Sequence, residues 1–210
     1  MNIERDINRQ DCYGETLLLH AVYLDDESYI KNLLDRGADP TIKNCYHDTV
    51  LHYAAQNGNL KLVKDFIARG VKIDSQNNCG FTPLITACRF RQFDTVKYLV
   101  KHGANVNHEG CMKRTALHWA IDTDKGCSDF KESIEITEYL LKKGADVNSK
   151  MWNGETAIFL TAWGGSREMA ELLISYGAKL DIDGITPLYL ARVSKNTEVA
   201  QCFIEHGLKE

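Results

Sequence analysis

The sequence predicts an all-α solenoid, a stack of helical repeats in which each unit covers the next. A threonine recurs along the 210 residues, and the first four threonines are 33 residues apart. A glycine follows each threonine after 21 residues, except that 29 residues separate Thr115 from Gly144. A fixed period of this size is typical of solenoids, whose repeats cannot bury their apolar faces alone. The threonines are Thr16, Thr49, Thr82, Thr115, Thr156 and Thr186, and the glycines are Gly37, Gly70, Gly103, Gly144, Gly177 and Gly207.

Each repeat carries the signals of two helices followed by an extended finger, as residues 77–107 illustrate. Thr82 and Pro83 begin the first helix, because the hydroxyl can accept a free backbone N–H and proline suits the first helical position. The second helix carries apolar residues at helical spacing, which indicates a buried stripe. It ends before Gly103, a residue able to adopt the left-handed conformation of a helix cap.

These residues resemble those of the ankyrin-repeat family over essentially the whole chain. The resemblance implies a helix–turn–helix unit and a β-hairpin finger per repeat, with the fingers projecting along one edge. It also gives His52 and His118 a structural role, in which the histidine links its helix to a finger. The resemblance is carried by Thr-Pro-Leu at 82–84 and 186–188, Leu-His at 51–52 and 117–118, Gly-Ala at 37–38, 103–104, 144–145 and 177–178, Asn-Val-Asn at 105–107 and Asp-Val-Asn at 146–148.

One domain of six repeats is expected, either as a small complete protein or as a domain excised from a longer one. Repeat four carries an insertion at residues 123–130 between its helices, and the finger between repeats five and six is three residues short. The insertion is either a tolerated surface loop or a dedicated contact, because loops serve both purposes. The predicted repeats span residues 11–43, 44–76, 77–109, 110–150, 151–180 and 181–210.

Composition and charge argue against several classes of protein. The net charge of −4 gives no support to nucleic-acid binding, which needs clustered positive charge. The sequence has no apolar run of about 18 residues to span a membrane, and residues 1–10 lack the apolar region of a signal peptide. We therefore expect a cytoplasmic protein, with the nucleus or the cytosol of a host cell as alternatives.

The sequence contains no recognisable catalytic motif or metal site, although it has seven cysteines. Cys12, Cys45 and Cys111 each lie four residues before a threonine. Stacked helices about 10 Å apart would hold them beyond the roughly 7 Å that a disulfide spans. His108 and Cys111 do not form the four-ligand set that zinc requires. We expect no enzymatic activity, no cofactor and no bound metal.

Large apolar side chains and arginines occupy the positions that the resemblance assigns to partner binding. In ankyrin-type stacks, partners bind the concave surface formed by the finger tips and the exposed side of the first helices. Aromatic residues, methionine and arginine are enriched in interface cores, whereas a solvated surface favours Lys, Glu and Ser. The expected partner-binding residues are Tyr13, Tyr23, Leu24, Tyr46, Phe81, Arg89, Phe90, Arg91, Met112, Arg114, Trp152 and Trp163.

Some of these aromatic side chains also fit a purely structural role. Tyr13 and Tyr46 are compatible with a stack between adjacent fingers, and Trp119 is expected to pack there rather than to bind. The three arginines of the set add positive charge to an acidic protein, which favours an acidic or phosphorylated peptide segment as the partner.

The expected function is that of a non-enzymatic adaptor or stoichiometric inhibitor, acting as a monomer on another protein. A rigid scaffold loses little entropy on binding, so a few anchor residues suffice for affinity. The alternatives are the targeting module of a larger enzyme, or a scaffold that uses the insertion to bind a second partner.

A modification site is a further expectation drawn from the resemblance. Leu140 and residues 146–148 match the pattern that asparaginyl hydroxylases modify in ankyrin fingers, which makes Asn148 the candidate. The other interpretation is that this segment only stabilises the turn through side-chain hydrogen bonds.

Overall fold

Helix pairs joined by finger loops form the described structure, a computed structural model covering residues 6–121, 130–181 and 186–208. Within those ranges there are twelve α-helices and no strand, and no helix is both long and apolar enough to cross a membrane. The predicted insertion at 123–130, apart from Phe130, and most of the short finger before Thr186 lie outside the described residues. The helices are α1 Leu17–Tyr23, α2 Glu27–Asp35, α3 Val50–Asn57, α4 Leu60–Ala68, α5 Pro83–Arg89, α6 Phe93–Lys101, α7 Ala116–Ile121, α8 Lys131–Lys142, α9 Ala157–Gly164, α10 Arg167–Ser175, α11 Pro187–Val193 and α12 Thr197–Glu205.

The helices divide between two compact units, Met1–Asn105 with α1 to α6 (unit 1) and Val106–Glu210 with α7 to α12 (unit 2). In unit 1 the first helices of successive repeats pack in the order α1, α3, α5, and in unit 2 in the order α7, α9, α11. Fully buried alanines such as Ala54 and Ala87 let these helices approach closely. The predicted helix pairs are confirmed, whereas the single domain stays a prediction.

The repeated threonines begin the first helices, as the sequence predicts. The Thr16 hydroxyl accepts a hydrogen bond from the Leu19 amide at 3.1 Å, and Thr82 accepts one from Ile85 at 3.3 Å. Each bond satisfies one of the backbone donors that a helix start leaves without a partner. A cap of this kind contributes about 1 kcal/mol.

Buried histidines join helix starts to fingers in repeats two and four. His52 Nδ1 accepts a hydrogen bond from the Thr49 amide at 3.1 Å, and its Nε2 lies 3.0 Å from the Phe81 carbonyl oxygen. His118 makes the equivalent bonds, with Nε2 3.1 Å from the Ser149 carbonyl. A neutral ring protonated on Nε2 satisfies both bonds at once. This confirms the structural role predicted for the two histidines.

The glycines that follow the second helices are all left-handed, as predicted, with φ from 86° to 100°. Two other positions share this conformation without a consistent sequence signal. One lies two residues before the threonine in repeats one to five. The other lies nine residues after it in repeats one, two, three and six, whereas Gly165 at that position of repeat five has a φ of −79°. The first set is Gly14, His47, Gly80, Lys113 and Gly154, and the second is Asp25, Gly58, Arg91 and Lys195.

The described fingers are hairpin-shaped loops, without the strands that β-hairpins would have. A backbone hydrogen bond closes each described fingertip. The amide of the fifth residue before the threonine donates to the carbonyl of the residue that directly precedes the threonine, as Asp11 donates to Glu15 at 3.0 Å. Single backbone bonds also join adjacent tips, from the Cys45 amide to the Tyr13 carbonyl at 2.9 Å and from Asn78 to Tyr46 at 2.8 Å. The tips therefore lie closer together than the helix spacing of about 10 Å assumed above for the cysteines.

Two glycines of unit 2 give a matched pair of alanine substitutions. A Cβ at Gly177 or Gly164 would meet no atom within 4 Å, but only Gly177 has a left-handed φ, of 87°. We expect Gly177→Ala to destabilise the protein by about 1 kcal/mol, because the new Cβ is strained at that φ. Gly164→Ala, at the end of α9, should stabilise it by up to about 1 kcal/mol. Thermal unfolding of both variants checks the prediction, and melting shifts of the same sign would contradict it.

Because His118 is buried, we expect the folded protein to lose stability in acid. Burial, with help from the charge of Arg114, lowers the pKa of His118 from 6.5 to about 4. The unfolded chain therefore binds this proton at higher pH than the folded chain does. Its contribution to stability is complete above pH 6.5 and is lost as the pH falls towards 4, by about 3 kcal/mol in total.

We expect His118→Gln to be less stable than the parent at neutral pH, because a glutamine cannot reproduce both ring bonds. The variant should nevertheless lose less stability between pH 6.5 and pH 4. Urea unfolding over that range measures the slope. A slope equal to that of the parent chain would show that this histidine does not control the acid response.

Candidate functional site

In unit 1 the exposed aromatic residues lie on the finger tips and first helices. Tyr13 and Tyr46 are exposed at adjacent tips, which the backbone bond from Cys45 holds in register. Tyr23 is exposed seven residues after its threonine, and its ring contacts the edge of Tyr53 with centroids 5.4 Å apart. Exposure of the three predicted tyrosines is confirmed, and their role in binding stays a prediction.

Repeat three adds an arginine and a phenylalanine to this surface. The Arg89 guanidinium lies 5.8 Å from the ring centroid of Phe90 and 5.9 Å from that of Phe81. Phe90 is exposed, so the pair presents an apolar ring beside a positive charge. Arg91 follows in the turn between α5 and α6, where it is half-buried and left-handed.

The expected exposure of Phe81 is wrong, because only 8% of the residue is accessible. Its amide donates to the Asn77 side chain at 2.9 Å, and its carbonyl lies 3.0 Å from His52 Nε2. Both backbone groups are therefore held inside the finger, and Arg89 lies over the ring. Phe81 supports the surface from beneath and does not form part of it.

A polar network that the sequence did not indicate lies beside Tyr23. The Tyr53 hydroxyl donates to Glu15 Oε1 at 2.8 Å, and the buried Asn44 amide donates to both, at 2.9 and 2.7 Å. Glu15 Oε2 is buried and has no hydrogen-bond partner among the described residues. Burial, together with the Glu15 carboxylate, raises the pKa of Tyr53 above its usual range. The network fixes the ring against which Tyr23 packs.

In unit 2 the side chain of Trp152 is strongly exposed, at 69%. The Trp152 amide donates to the Met112 carbonyl at 3.0 Å, which brings these two fingertips together. Met112 is exposed, and both it and Lys113 are left-handed. Trp163 is exposed seven residues after its threonine, at the position that Tyr23 occupies in repeat one.

Arg114 contributes less to this surface than the sequence suggested. Its guanidinium lies 4.1 Å from the Trp119 ring centroid, and both residues are half-buried. Trp119 thus packs within its unit, as predicted. The charge of Arg114 is held over that ring in a cation–π contact.

Asn148 is engaged through both atoms of its side-chain amide. Its Nδ2 donates to the Gly177 carbonyl at 3.0 Å, and its Oδ1 accepts from the Lys179 amide at 2.9 Å. Asn107 makes the same pair of bonds one repeat earlier, with Gly144 and Asp146. These contacts give Asn148 a structural role, and its modification stays a prediction.

The described residues provide no arrangement with obvious chemical reactivity. They contain no group of three or more His, Cys, Asp or Glu side chains placed to hold a metal ion. Burial raises the pKa of the Cys88 thiol above its usual range and also raises that of Cys202, so neither is an activated nucleophile. Six described cysteines are free thiols, and Cys127 lies outside the described residues.

Several curated proteins resemble the chain over part of its length. It is 31% identical over 124 residues to the putative ankyrin repeat protein L271 of Acanthamoeba polyphaga mimivirus, covering 57% of this chain and 16% of that protein. It is 38% identical over 80 residues to the mouse fem-1 homolog A-like protein, covering 37% and 12%. It is 28% identical over 129 residues to the palmitoyltransferase AKR1 of Lachancea kluyveri, covering 60% and 17%. The chain thus spans a small part of these relatives.

The family comparison covers almost the whole chain and agrees with the repeated helix pairs. The family described as "Ankyrin repeats (many copies)" matches residues 18–67, and "Ankyrin repeats (3 copies)" matches residues 51–151 and 127–209. The chain therefore belongs to the ankyrin-repeat family.

Proposed function

We propose that the chain is a non-enzymatic adaptor or stoichiometric inhibitor that binds another protein through its fingertips and first helices. Ankyrin repeats generally serve as protein–protein interaction modules. The contact residues are divided between the two units. The unit 1 set is Tyr13, Tyr23, Leu24, Tyr46, Arg89, Phe90 and Arg91, and the unit 2 set is Met112, Trp152 and Trp163.

The observation that carries this proposal is the exposure of large apolar side chains at equivalent positions of different repeats. Tyr23 and Trp163 occupy the seventh position after their threonines, and Leu24 and Phe90 the eighth. All four are exposed. In repeat two the eighth position instead has a structural role. It holds Asn57, whose side-chain amide donates to the Val22 carbonyl of the preceding repeat at 2.9 Å. A patch of exposed apolar residues is a common mark of an interaction site.

The energetics favour a few anchors over a broad contact. Truncating a buried aromatic anchor in an interface typically costs at least about 1 to 2 kcal/mol. Trp152 and Trp163 are rigid side chains on a pre-formed scaffold, so they lose little conformational freedom on binding. Two or three such anchors support a specific complex.

An acidic or phosphorylated peptide segment suits the repeat three part of unit 1. Arg89 lies beside the exposed Phe90 ring, which combines a charged donor with an apolar contact. A guanidinium can form two parallel hydrogen bonds to a carboxylate or phosphate. The partner segment expected here carries an acidic group next to an apolar side chain.

A second candidate function is that of a targeting module within a larger enzyme. The palmitoyltransferase among the relatives is far longer than the matched region, since the match covers 17% of it. Repeats of this type therefore occur within an enzyme's chain. In that role the same surfaces would select the substrate protein or the location, while the chemistry would reside in another domain. The two-partner scaffold remains a third alternative, and its second contact lies outside the described residues.

Removing the anchors of one unit at a time tests the proposed surface. Phe90→Ala alters unit 1, Trp152→Ala with Trp163→Ala alters unit 2, and Tyr176→Ala serves as a control at an exposed tyrosine outside both sets. Proteins captured from cytosolic lysate by the parent chain are identified, and the purified partner is titrated against each variant by calorimetry. We expect at least about tenfold weaker binding for one of the anchor variants and an unchanged affinity for the control.

Two outcomes would contradict the proposed surface, provided that melting temperatures show every variant to be folded. A partner that binds the parent and both anchor variants with equal affinity would exclude the proposed surface. A partner whose binding only Tyr176→Ala weakens would shift the site to the second helices.

A further inference from the structure

Repeat one exposes a side chain at a position that every other repeat buries. The residue just after the threonine is Leu17 in repeat one, and it is 48% exposed. In repeats two to six this residue is buried, and within each unit the first helix packs against the first helix of the preceding repeat. The buried equivalents are Val50, Pro83, Ala116, Ala157 and Pro187.

Repeat six shows the complementary exposure. Tyr189 lies three residues after its threonine and is 71% exposed. The residues at this position in the other repeats are at most 2% exposed. Two of them, His52 and His118, contact carbonyls of the finger that follows. This third position is therefore the one that inserts beneath the next finger. Its buried representatives are Leu19, His52, Ile85, His118 and Phe159.

A groove of about 470 Å³ lies between the first finger and α1, where such a residue would insert. Its lining includes Arg9, seven residues before the threonine, and Glu15, one residue before it. Arg9 occupies the position of Ser149, whose carbonyl contacts His118. Glu15 occupies the position of Phe81, whose carbonyl contacts His52. Leu17 forms an apolar wall of the same groove. The groove has the components of an inter-repeat socket.

We propose that the chain associates head to tail, with repeat six of one copy stacked on repeat one of the next. The Tyr189 ring enters the groove against Leu17, and its hydroxyl donates to the carbonyl at the position of Arg9. The contact continues the interface that already joins successive repeats within each unit. It uses different surfaces on the two copies and is therefore heterologous, so it leads to open chains or closed rings rather than to a symmetric dimer.

The charges of the two faces are complementary. Neighbouring repeats are joined by a hydrogen bond between two fixed positions. The tenth residue after the threonine of one repeat donates to the ninth residue after the threonine of the preceding repeat, as Asn59 donates to Asp25 at 2.8 Å. Asn196 and Gly165 repeat this contact at 2.9 Å. In the head-to-tail contact these positions hold Asp26 and Lys195, which have opposite charges.

The socket itself is acidic, whereas the opposing face is basic. Among the described residues, Asp6 and Asp11 line the groove together with Arg9. Glu15 also lines it, but its carboxylate is held by Tyr53 and Asn44. The opposing face presents Arg192, which is exposed at a position where five other repeats hold buried apolar residues. A charged residue there is unsuited to an apolar stack, but it matches an acidic groove. These complementary charges favour a second copy as the occupant, which departs from the monomer expected from sequence.

Sedimentation velocity of the full chain over a wide range of concentration tests the proposal. The expected result is a weight-average mass that rises reversibly with concentration. Leu17→Glu alters only the head and Tyr189→Ala only the tail, and each should weaken association at least about tenfold, since each removes an anchor. Val193→Ala, at another exposed apolar residue of α11, is the control and should associate like the parent.

A mixture of the two end variants gives the sharpest result. Each retains one intact face, so the pair should form a dimer with one copy of each and grow no further. Lys195→Glu should weaken association as well, and by less at high salt. A chain that stays monomeric at all concentrations would overturn the proposal. So would an assembly that both end variants leave unchanged, or a failure of the mixture to dimerise when the parent associates.

Discussion

The structure depends on each repeat burying, against its neighbour, an apolar surface that it cannot bury alone. Helices of six to twelve residues are too short to be stable as isolated peptides. Their buried stripes are covered by the next pair, as α3 is covered by α1 on one side and α5 on the other. Small residues such as Ala54 and Ala87 keep this spacing close. The inter-repeat contact therefore determines both the fold and the side chains that remain available on the surface.

The fingers solve a second problem, which is how to satisfy backbone groups without a β-ladder. Asn44 Oδ1 accepts the amides of Tyr46 and Asp48, at 2.9 and 2.8 Å, and Asp11 and Asn77 do the same in their own fingers. Repeat four has Gly110 at this position and lacks the side chain. There the tip forms a 3-10 turn with two successive left-handed residues. Repeat five has Met151 at this position, which also lacks such an acceptor, but its tip has no 3-10 turn and only Gly154 is left-handed.

The parts of the fold that follow from local chemistry could be predicted from sequence. Thr16 and Thr82 cap their helices through amides three residues away, and the glycines after the second helices need only a left-handed φ. Features that join distant residues could not be predicted. Glu15 and Asn44 lie 29 residues apart, and Phe81 is buried although its position after Gly80 in the finger predicted exposure. The left-handed Asp25 had no signal either, since Gly58 alone marks that turn.

Two of the bonds between neighbouring fingertips in unit 1 run from main chain to main chain, from Cys45 N to Tyr13 O and from Asn78 N to Tyr46 O. A main-chain bond makes no demand on the identity of the exposed side chain beside it. Tyr13 and Tyr46 can therefore be exchanged for other residues while the link between their fingers persists. Evolution can change what such a surface recognises without first redesigning the scaffold, so new specificities are accessible through single substitutions at little cost in stability.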